Sequence, residues 1–177
     1  VSWHQDTRYW GLSSDKVLSV WLALSPASEE SGCMRVMPGT HRGEVLPHND
    51  RYHEDNMLTR GQEITRGVKE TEAVLMPLVP GQISIHNYRI AHASGPNNSG
   101  DRRIGVSMHF MPPDTEQIVG NWDSAALVRG EDRQGNFEPT PIPEKDFDPL
   151  AVEFQQKAAR AMSEVLYAGA ERNTAKL

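Results

Sequence analysis

The sequence of 177 residues contains a single cysteine, Cys33, and cannot form an internal disulfide framework. It has no run of about 18 apolar residues, so no membrane-spanning helix is predicted. Positive charge is also scarce: 18 lysines and arginines against 24 aspartates and glutamates give a net charge of −6. This balance argues against nucleic acid or an anionic membrane as a partner. Together these absences favour a cytoplasmic protein that binds neither nucleic acid nor a membrane.

The chain also lacks an initiator methionine and a signal-peptide pattern, and strongly patterned sequence is already present at Trp3. We interpret this start as typical of a protein whose N-terminal part is absent from the chain. The length otherwise fits one domain, and we predict a single domain over residues 1–177.

Short apolar or alternating segments separated by turn residues dominate the first 112 residues. Those that are rich in β-branched residues or alternate with a period of two predict strands, at 16–24, 33–37, 82–87 and 103–110. The polar segment 41–72 shows little periodicity and is predicted to be a long loop or lid. Residues 113–147, interrupted by proline and glycine, are predicted to be irregular.

Helical periodicity is confined to the C-terminal region. Apolar residues at spacings of three and four follow Asp148 and Pro149, which suit the N-cap and the first helical position. We therefore predict a helix over about residues 149–168. A body of strands with one terminal helix favours a β-sandwich or barrel over alternating βαβ units.

The triplet His4-Gln5-Asp6 offers an imidazole and a carboxylate. On a strand, residues i and i+2 face the same side, so we expect His4 and Asp6 to project together. Two histidines and one carboxylate form the facial triad that holds non-haem iron(II) and leaves coordination positions open. Such a triplet is short, however, and in isolation it is more often an incidental polar pair.

A third ligand has to come from the remaining histidines, which are His41, His48, His53, His86, His92 and His109. Histidines of the polar segment 41–72 are expected to be solvated, and His109 is expected to be a core or wall residue. His92 ends a strand before a Ser-Gly-Pro-Asn turn, where a barrel mouth would present a ligand. We prefer His92, although spacing alone does not decide between it and His86.

Arg103 follows His92 by eleven residues and is predicted to start the next strand. If that strand runs antiparallel beside the strand of His92, the guanidinium can hold a carboxylate by two parallel hydrogen bonds. The adjacent Arg102, next to Asp101, is expected to be an ordinary surface residue.

Four blocks in this order resemble the phytanoyl-CoA dioxygenase family of iron(II)/2-oxoglutarate oxygenases. They are Trp3-His4-Gln5-Asp6, the segment 31–42 with Pro38-Gly39-Thr40-His41, the turn Pro80-Gly81-Gln82, and His92-Ala93-Ser94-Gly95-Pro96-Asn97 with Arg103. The match covers about residues 1–112. Gln82 stands where the family usually has an aspartate, a departure that does not touch a ligand.

The resemblance implies a mainly β fold, a double-stranded β-helix (a cupin-like jelly roll) over about residues 1–112, followed by the C-terminal helix. It implies that His4, Asp6 and His92 bind iron(II) and form the catalytic centre. It also implies hydroxylation of an unactivated C–H bond of a small organic substrate, which consumes dioxygen and releases succinate and carbon dioxide.

The resemblance further implies a site for the co-substrate 2-oxoglutarate. Arg103 would hold its distal carboxylate, and Ser94 would assist from the same side. Gln5 and Trp21 match positions that line the co-substrate pocket in the family. The residues themselves also allow Gln5 to point outward and Trp21 to be an ordinary core residue.

Two alternatives remain open at the level of sequence. A cupin-type metal-binding protein would bind Zn or Mn and would need no Arg103. A degenerate binding module would keep the fold without turnover. Halogenation is disfavoured, because halogenating relatives replace the carboxylate ligand by a small residue and Asp6 is present.

Overall fold

A computed structural model describes residues 1–52 and 56–171; His53, one of the candidate ligands above, lies outside this range. The chain forms two compact units. The first comprises Val1–Arg8 and Asp15–Met111, and the second comprises Tyr9–Ser14 and the chain from Pro112 onward. The single domain over residues 1–177 stays a prediction.

Short strands build the first unit. In chain order they are β1 (Leu18–Ala23), β2 (Met34–Val36), β3 (His48–Asp50), β4 (Gln62–Ile64), β5 (Val74–Leu75), β6 (Ile83–Asn87), β7 (His92–Ser94) and β8 (Gly105–Phe110). Three 3-10 helices lie between them or precede them, at Asp6–Arg8, Thr40–Arg42 and Glu70–Glu72.

The strands pair into two antiparallel three-stranded sheets and one further pair. The first sheet has the order β6-β1-β8, the second has the order β5-β2-β7, and β3 pairs with β4. Strands β5, β6, β7 and β8 alternate between the second and the first sheet as the chain proceeds. This winding is that of a double-stranded β-helix, and it confirms the predicted fold class.

Strand β1 shows how the sequence pattern builds the first sheet. Its side chains alternate, so Ser19 and Trp21 lie on one face and Val20 lies on the other. Ser19 pairs with His86 of β6 and with His109 of β8. The face that carries the serine and histidines is the one that approaches the second sheet, since the His86 and His92 rings lie 5.4 Å apart.

The segment 41–72 differs from the loop or lid predicted for it. Its described residues include β3, β4 and the 3-10 helix Glu70–Glu72, and Ile64 joins a buried cluster with Trp3, Ala91 and Ala93. Trp3 and Ala93 are the neighbours of His4 and His92, which form a β-bridge, so their side chains lie on the opposite face and this cluster lies behind the second sheet. The segment therefore backs the sheet that carries these histidines, and the prediction of one long loop is wrong. This packing was not predicted because most residues of the segment are polar and only a few apolar contacts anchor it.

The prediction that the strand after Arg103 pairs with the strand of His92 is also wrong. Strand β8 begins at Gly105 and pairs with β1, whereas the partner of β7 is β2. Consecutive strands alternate between sheets in this fold, so the strand that follows His92 cannot lie beside it. Arg103 instead approaches the first sheet at Trp21, with its Cζ 5.4 Å from the centre of the indole ring.

The second unit contains the one α-helix of the described residues, α1 (Pro149–Leu166), close to the predicted 149–168. The Asp148 side chain accepts a hydrogen bond from the Leu150 N–H, which confirms the predicted N-cap. The segment 113–147 is irregular except for the two-residue parallel strands β9 (Ser124–Ala125) and β10 (Glu138–Pro139). None of the helices described here is long and apolar enough to cross a membrane.

Candidate metal centre

His4 and His92 face each other across an isolated β-bridge. Each backbone N–H donates to the other residue's carbonyl oxygen at 3.0 Å, and the ring centres lie 4.1 Å apart. Asp6 does not continue a strand as predicted, because the 3-10 helix Asp6–Arg8 begins there. This turn brings the Asp6 Oδ1 to 3.5 Å from the His4 Nε2. One ligand atom from each of the three residues lies within 4.8 Å of the others.

Hydrogen bonds to backbone carbonyls orient both imidazoles. The Nδ1 of His4 lies 2.9 Å from the Ser2 carbonyl oxygen, and the Nδ1 of His92 lies 3.0 Å from that of Ile90. A carbonyl oxygen only accepts, so each Nδ1 carries a proton, and in the neutral ring each Nε2 then has a lone pair. Metal-binding histidines are commonly held in this way by a partner on the second nitrogen.

The charges of the site suit a divalent cation. Burial, and next the charge of His4, lower the pKa of His92 to about 4, so this imidazole is neutral at pH 7. Burial alone would raise the pKa of Asp6, but the contact with the His4 imidazole and the nearby His92 bring it below its usual value. The residues thus present an imidazole lone pair and a carboxylate at neutral pH. Nitrogen and carboxylate donors in this number fit iron(II).

His86 occupies a different position. It lies on β6 in the first sheet and, among the described residues, is not part of the group of three whose ligand atoms converge. Its Nδ1 is buried and has no hydrogen-bond partner among those residues. The geometry therefore favours His92 as the third ligand, and its role in binding a metal stays a prediction.

Arg103 is available to bind an anion. Its guanidinium lies over the Trp21 ring, and within the described part of the chain it forms no ion pair or hydrogen bond. Gly105 makes this arrangement possible, because a Cβ there would come within 2.1 Å of the indole. The neighbouring Arg102 is exposed, as predicted. Ser94 lies two residues after His92 on β7 and so shares its face.

Gln5 is fully buried, with partners other than the predicted co-substrate. Its Oε1 accepts from the Leu46 N–H at 2.8 Å, and its Nε2 donates to the Arg89 carbonyl oxygen at 2.5 Å. The Gln5 N–H donates to the Nε2 of His48 at 3.0 Å. The structure thus uses both ends of this amide to bind backbone groups. The alternation of side chains along a strand predicts only the face on which Gln5 lies. It does not predict hydrogen bonds with residues distant in the chain.

A cavity of about 290 Å³ is lined by His86, whose ring lies 5.4 Å from the ring of His92, and it was not expected from the sequence. The polar groups that line it come from His41, His86 and Asn87, and the apolar ones from Val36, Met76, Ile85 and Ile90. The Nδ1 atoms of His41 and His86 are buried and, in the described part of the chain, have no hydrogen-bond partner. His41 was expected to be solvated; its place directly after the turn that closes β2 is the only local signal of this position.

Comparisons with known proteins agree with this geometry. A family model described as phytanoyl-CoA dioxygenase (PhyH) matches residues 1–105. A probable alpha-ketoglutarate-dependent hypophosphite dioxygenase of Stutzerimonas stutzeri is 30% identical over 121 residues, which are 68% of this chain and 42% of that protein. The peroxisomal phytanoyl-CoA dioxygenase of Homo sapiens is 28% identical over 116 residues, 65% of this chain and 34% of that enzyme.

Solved structures extend the similarity to most of the chain. The apo form of the non-heme monooxygenase ThoJ superposes with a TM-score of 0.81 at 35% sequence identity, over 94% of this chain and 60% of that one. A ThoJ–nickel complex gives a TM-score of 0.72 at 31% identity, over 94% and 59%. The chain thus spans between a third and three-fifths of the length of these relatives.

Proposed function

Because the chain belongs to the phytanoyl-CoA dioxygenase family, we propose that it carries the catalytic core of an iron(II)- and 2-oxoglutarate-dependent oxygenase. The proposed reaction hydroxylates an unactivated C–H bond of a small organic substrate, consumes dioxygen, and releases succinate and carbon dioxide. The observation that carries the proposal is the convergence of His4, Asp6 and His92.

Similar proteins support this assignment. The Stutzerimonas stutzeri relative is described as alpha-ketoglutarate-dependent, and ThoJ is described as a non-heme monooxygenase. ThoJ has also been solved as a nickel complex, which supports a transition-metal site in this fold.

In the proposed site, His4 and His92 bind iron(II) through their Nε2 atoms and Asp6 binds it through a carboxylate oxygen. The carbonyls of Ser2 and Ile90 keep both imidazoles in the tautomer that this requires. Bound iron(II) supplies the activation of dioxygen, with 2-oxoglutarate as the source of two electrons. One carboxylate against a divalent cation leaves a net positive charge, which attracts the dianionic co-substrate.

Arg103 is the proposed partner of the distal carboxylate of 2-oxoglutarate. A carboxylate that leaves water needs a matched cation with aligned donors, and this guanidinium has no ion-pair partner in the described chain. Trp21 holds the guanidinium plane by a cation–π contact, which limits the conformations to be lost on binding. Ser94, on the face of His92, is the proposed second donor.

The cavity lined by His86 and His41 is the proposed substrate site. His86 connects it to the metal centre, because its ring lies 5.4 Å from the ring of His92. The unpartnered Nδ1 atoms of His41 and His86 offer hydrogen bonds within a largely apolar lining. These groups suit a small organic molecule with an apolar part and at least one hydrogen-bonding group.

A titration under anaerobic conditions tests the assignment. The protein with iron(II) should develop the visible charge-transfer band of an iron–2-oxoglutarate complex, and His92→Ala should abolish it. The matched variant His86→Ala should keep the band, since His86 is outside the converging group. The assignment of His92 as the third ligand fails if the two variants behave in the opposite way. Binding of Zn(II) or Mn(II) without any 2-oxoglutarate complex would instead indicate a cupin-type metal protein.

A further inference from the structure

A closed set of three hydrogen bonds holds the backbone between His4 and Asp6. The Gln5 N–H donates to the Nε2 of His48 at 3.0 Å, and the Nδ1 of His48 lies 2.6 Å from the Leu46 carbonyl oxygen. The Leu46 N–H closes the set by donating to the Gln5 Oε1 at 2.8 Å. His48 and Leu46 belong to the segment that backs the second sheet, so this segment reaches the ligand turn directly.

The partners define the state of the His48 ring. A backbone N–H only donates, so the Nε2 of His48 must accept, and a carbonyl only accepts, so its Nδ1 must donate. Only a neutral imidazole with its proton on Nδ1 satisfies both. Burial is the main reason that the pKa of His48 is lowered to about 4, and the ring is therefore neutral at pH 7.

Gln5 extends the same set of contacts to the third predicted ligand. Its Nε2 donates to the Arg89 carbonyl oxygen, one residue before Ile90, whose carbonyl orients the His92 ring. The Arg89 side chain is itself held by an ion pair with Asp15 and a hydrogen bond to the Gly43 carbonyl oxygen. One fully buried residue thus connects the turn of His4 and Asp6 to the segment that leads into His92.

Contacts of this kind affect metal binding because Gln5 shares its peptide bonds with both predicted ligands. A rotation of either peptide displaces the His4 ring or the Asp6 carboxylate, which lie only 3.5 Å apart. Groups that orient metal ligands typically change metal affinity by about 10- to 100-fold when they are removed. A ligand pair on a short turn depends on such support more than a pair on a long strand would.

We propose that His48 and Gln5 are positioning residues of the metal centre, with His48 accepting from the Gln5 N–H and Gln5 joining the two ligand segments. This inference rests on the proposed function, since it requires His4, Asp6 and His92 to bind the metal. It assigns to the segment 41–72 a supporting role behind the site.

Two polar substitutions of His48 separate this role from a general effect on folding. The side-chain amide of His48→Gln can reach the place of Nε2 and accept from the Gln5 N–H. The shorter amide of His48→Asn reaches only the place of Nδ1, so it can keep the contact with the Leu46 carbonyl but leaves the Gln5 N–H without an acceptor. Asn49→Ala is the matched control, because Asn49 is an exposed neighbour on β3.

The experiment titrates the metal-free protein with Co(II) and records both affinity and the ligand-field spectrum. We expect His48→Asn to bind Co(II) about 10-fold more weakly or worse, with an altered spectrum at saturation. His48→Gln should recover most of the affinity and the wild-type spectrum, and Asn49→Ala should match the wild type. Circular dichroism checks that each variant is folded.

The possible failures are distinguishable. If the wild type binds no Co(II), or if His4→Ala binds it equally well, the proposed metal site itself is wrong. If binding requires His4 but His48→Asn and His48→Gln have the same affinity, the positioning role is overturned while the metal site stands. Gln5→Leu, which removes the amide contacts to Leu46 and Arg89, should also weaken Co(II) binding, and unchanged affinity would overturn the role of Gln5.

Discussion

Single histidines of this protein differ in what they can do, because their hydrogen-bond partners differ. His4 and His92 each place Nδ1 against a carbonyl oxygen and leave Nε2 for another ligand. His48 uses both nitrogens within the protein. His41 and His86 keep a buried Nδ1 without a partner in the described residues. Histidine therefore supplies the candidate metal ligands, a residue that positions them, and candidate contacts to the substrate.

Arg103 permits a direct test of the co-substrate assignment. Truncating one partner of a buried, hydrogen-bonded charge pair costs about 2–5 kcal/mol, because the other charge is left unpaired. Since each 1.4 kcal/mol is tenfold in affinity, Arg103→Ala should weaken 2-oxoglutarate binding by roughly thirty-fold or more. Iron binding should survive, because Arg103 lies at Trp21 and outside the converging group. The charge-transfer band, followed during a 2-oxoglutarate titration, measures both effects.

Two further variants calibrate this result. Arg103→Lys should recover only part of the affinity, because an ammonium group cannot reproduce the two aligned donors of a guanidinium. Arg102→Ala should have little effect, since this side chain is exposed. Loss of 2-oxoglutarate binding in Arg102→Ala but not in Arg103→Ala would show that the wrong arginine has been assigned.

Cys33 is expected to be structural. It is 1% exposed, and burial raises the pKa of its thiol, so the reactive thiolate is disfavoured. Cys33→Ala should leave 2-oxoglutarate turnover nearly intact and lower the free energy of unfolding by about 1–2 kcal/mol, the cost of a small buried cavity. Urea denaturation and succinate formation measure the two quantities. A loss of turnover as large as that of His92→Ala would contradict the structural assignment.

At the scale of elements, the 3-10 helix Glu70–Glu72 joins the backing segment to the second sheet. Glu70 accepts from the Trp3 Nε1 at 2.5 Å and from the Arg35 side chain at 2.7 Å. Arg35 also lies over the Trp3 ring, 5.1 Å from its centre. A single carboxylate thus binds the residue before His4 and a residue of β2 at the same time.

Removing this carboxylate should have a modest effect on stability. Glu70 and Arg35 are partly exposed, and such pairs contribute about 0–1 kcal/mol, to which the indole hydrogen bond adds about 1 kcal/mol. Glu70→Ala should therefore lower the free energy of unfolding by roughly 1–2 kcal/mol in urea denaturation. Glu72→Ala is the control on the same helix: its partner is the exposed Lys69, and no measurable change is expected. Equal effects of the two substitutions would mean that Glu70 does not join these elements.

At the scale of the whole molecule, several neutral histidines make stability depend on pH. Four histidines of the first unit have a lowered pKa, mainly because they are buried: His48, His86, His92 and His109. For His48 and His92 the pKa is about 4. In the unfolded chain a histidine has a pKa of about 6.5. Between these values the unfolded state binds protons that the folded state does not. The free energy of unfolding should therefore be highest above about pH 6.5 and fall as the pH is lowered towards 4.

Urea denaturation of the metal-free protein between pH 7.5 and 4.5, with a chelator present, measures this trend. His48→Gln removes one of the titrating groups, so its stability should fall less steeply over the same range. A denaturation midpoint that does not change between pH 7 and pH 4.5 would show that these histidines are not held neutral. The chelator keeps bound metal from masking the titration.

Patterns that are local in the chain were sufficient for much of the fold. Strands β1, β2, β6 and β8 and helix α1 lie within the segments predicted for them, because period-two alternation, helical spacing and turn residues act on near neighbours. Strands β3 and β4 were missed. Their residues are mostly polar, and what anchors them is the contact of Ile64 with residues distant in the chain.

For the site, the sequence by itself determined the residue types: an imidazole and a carboxylate in His4 and Asp6, a further imidazole in His92 and a guanidinium in Arg103. The prediction that His92 ends a strand is wrong, because His92 is the first residue of β7. Only the tertiary structure decided which of these groups converge, since His92 meets His4 through a pairing across 88 positions of the chain. It also decided that Arg103 lies at Trp21 in the other sheet, and that Gln5 and His48 bind each other. Residue type and local spacing set the chemistry that a side chain can offer. Its partners depend on strand pairing between distant segments, which local spacing does not encode.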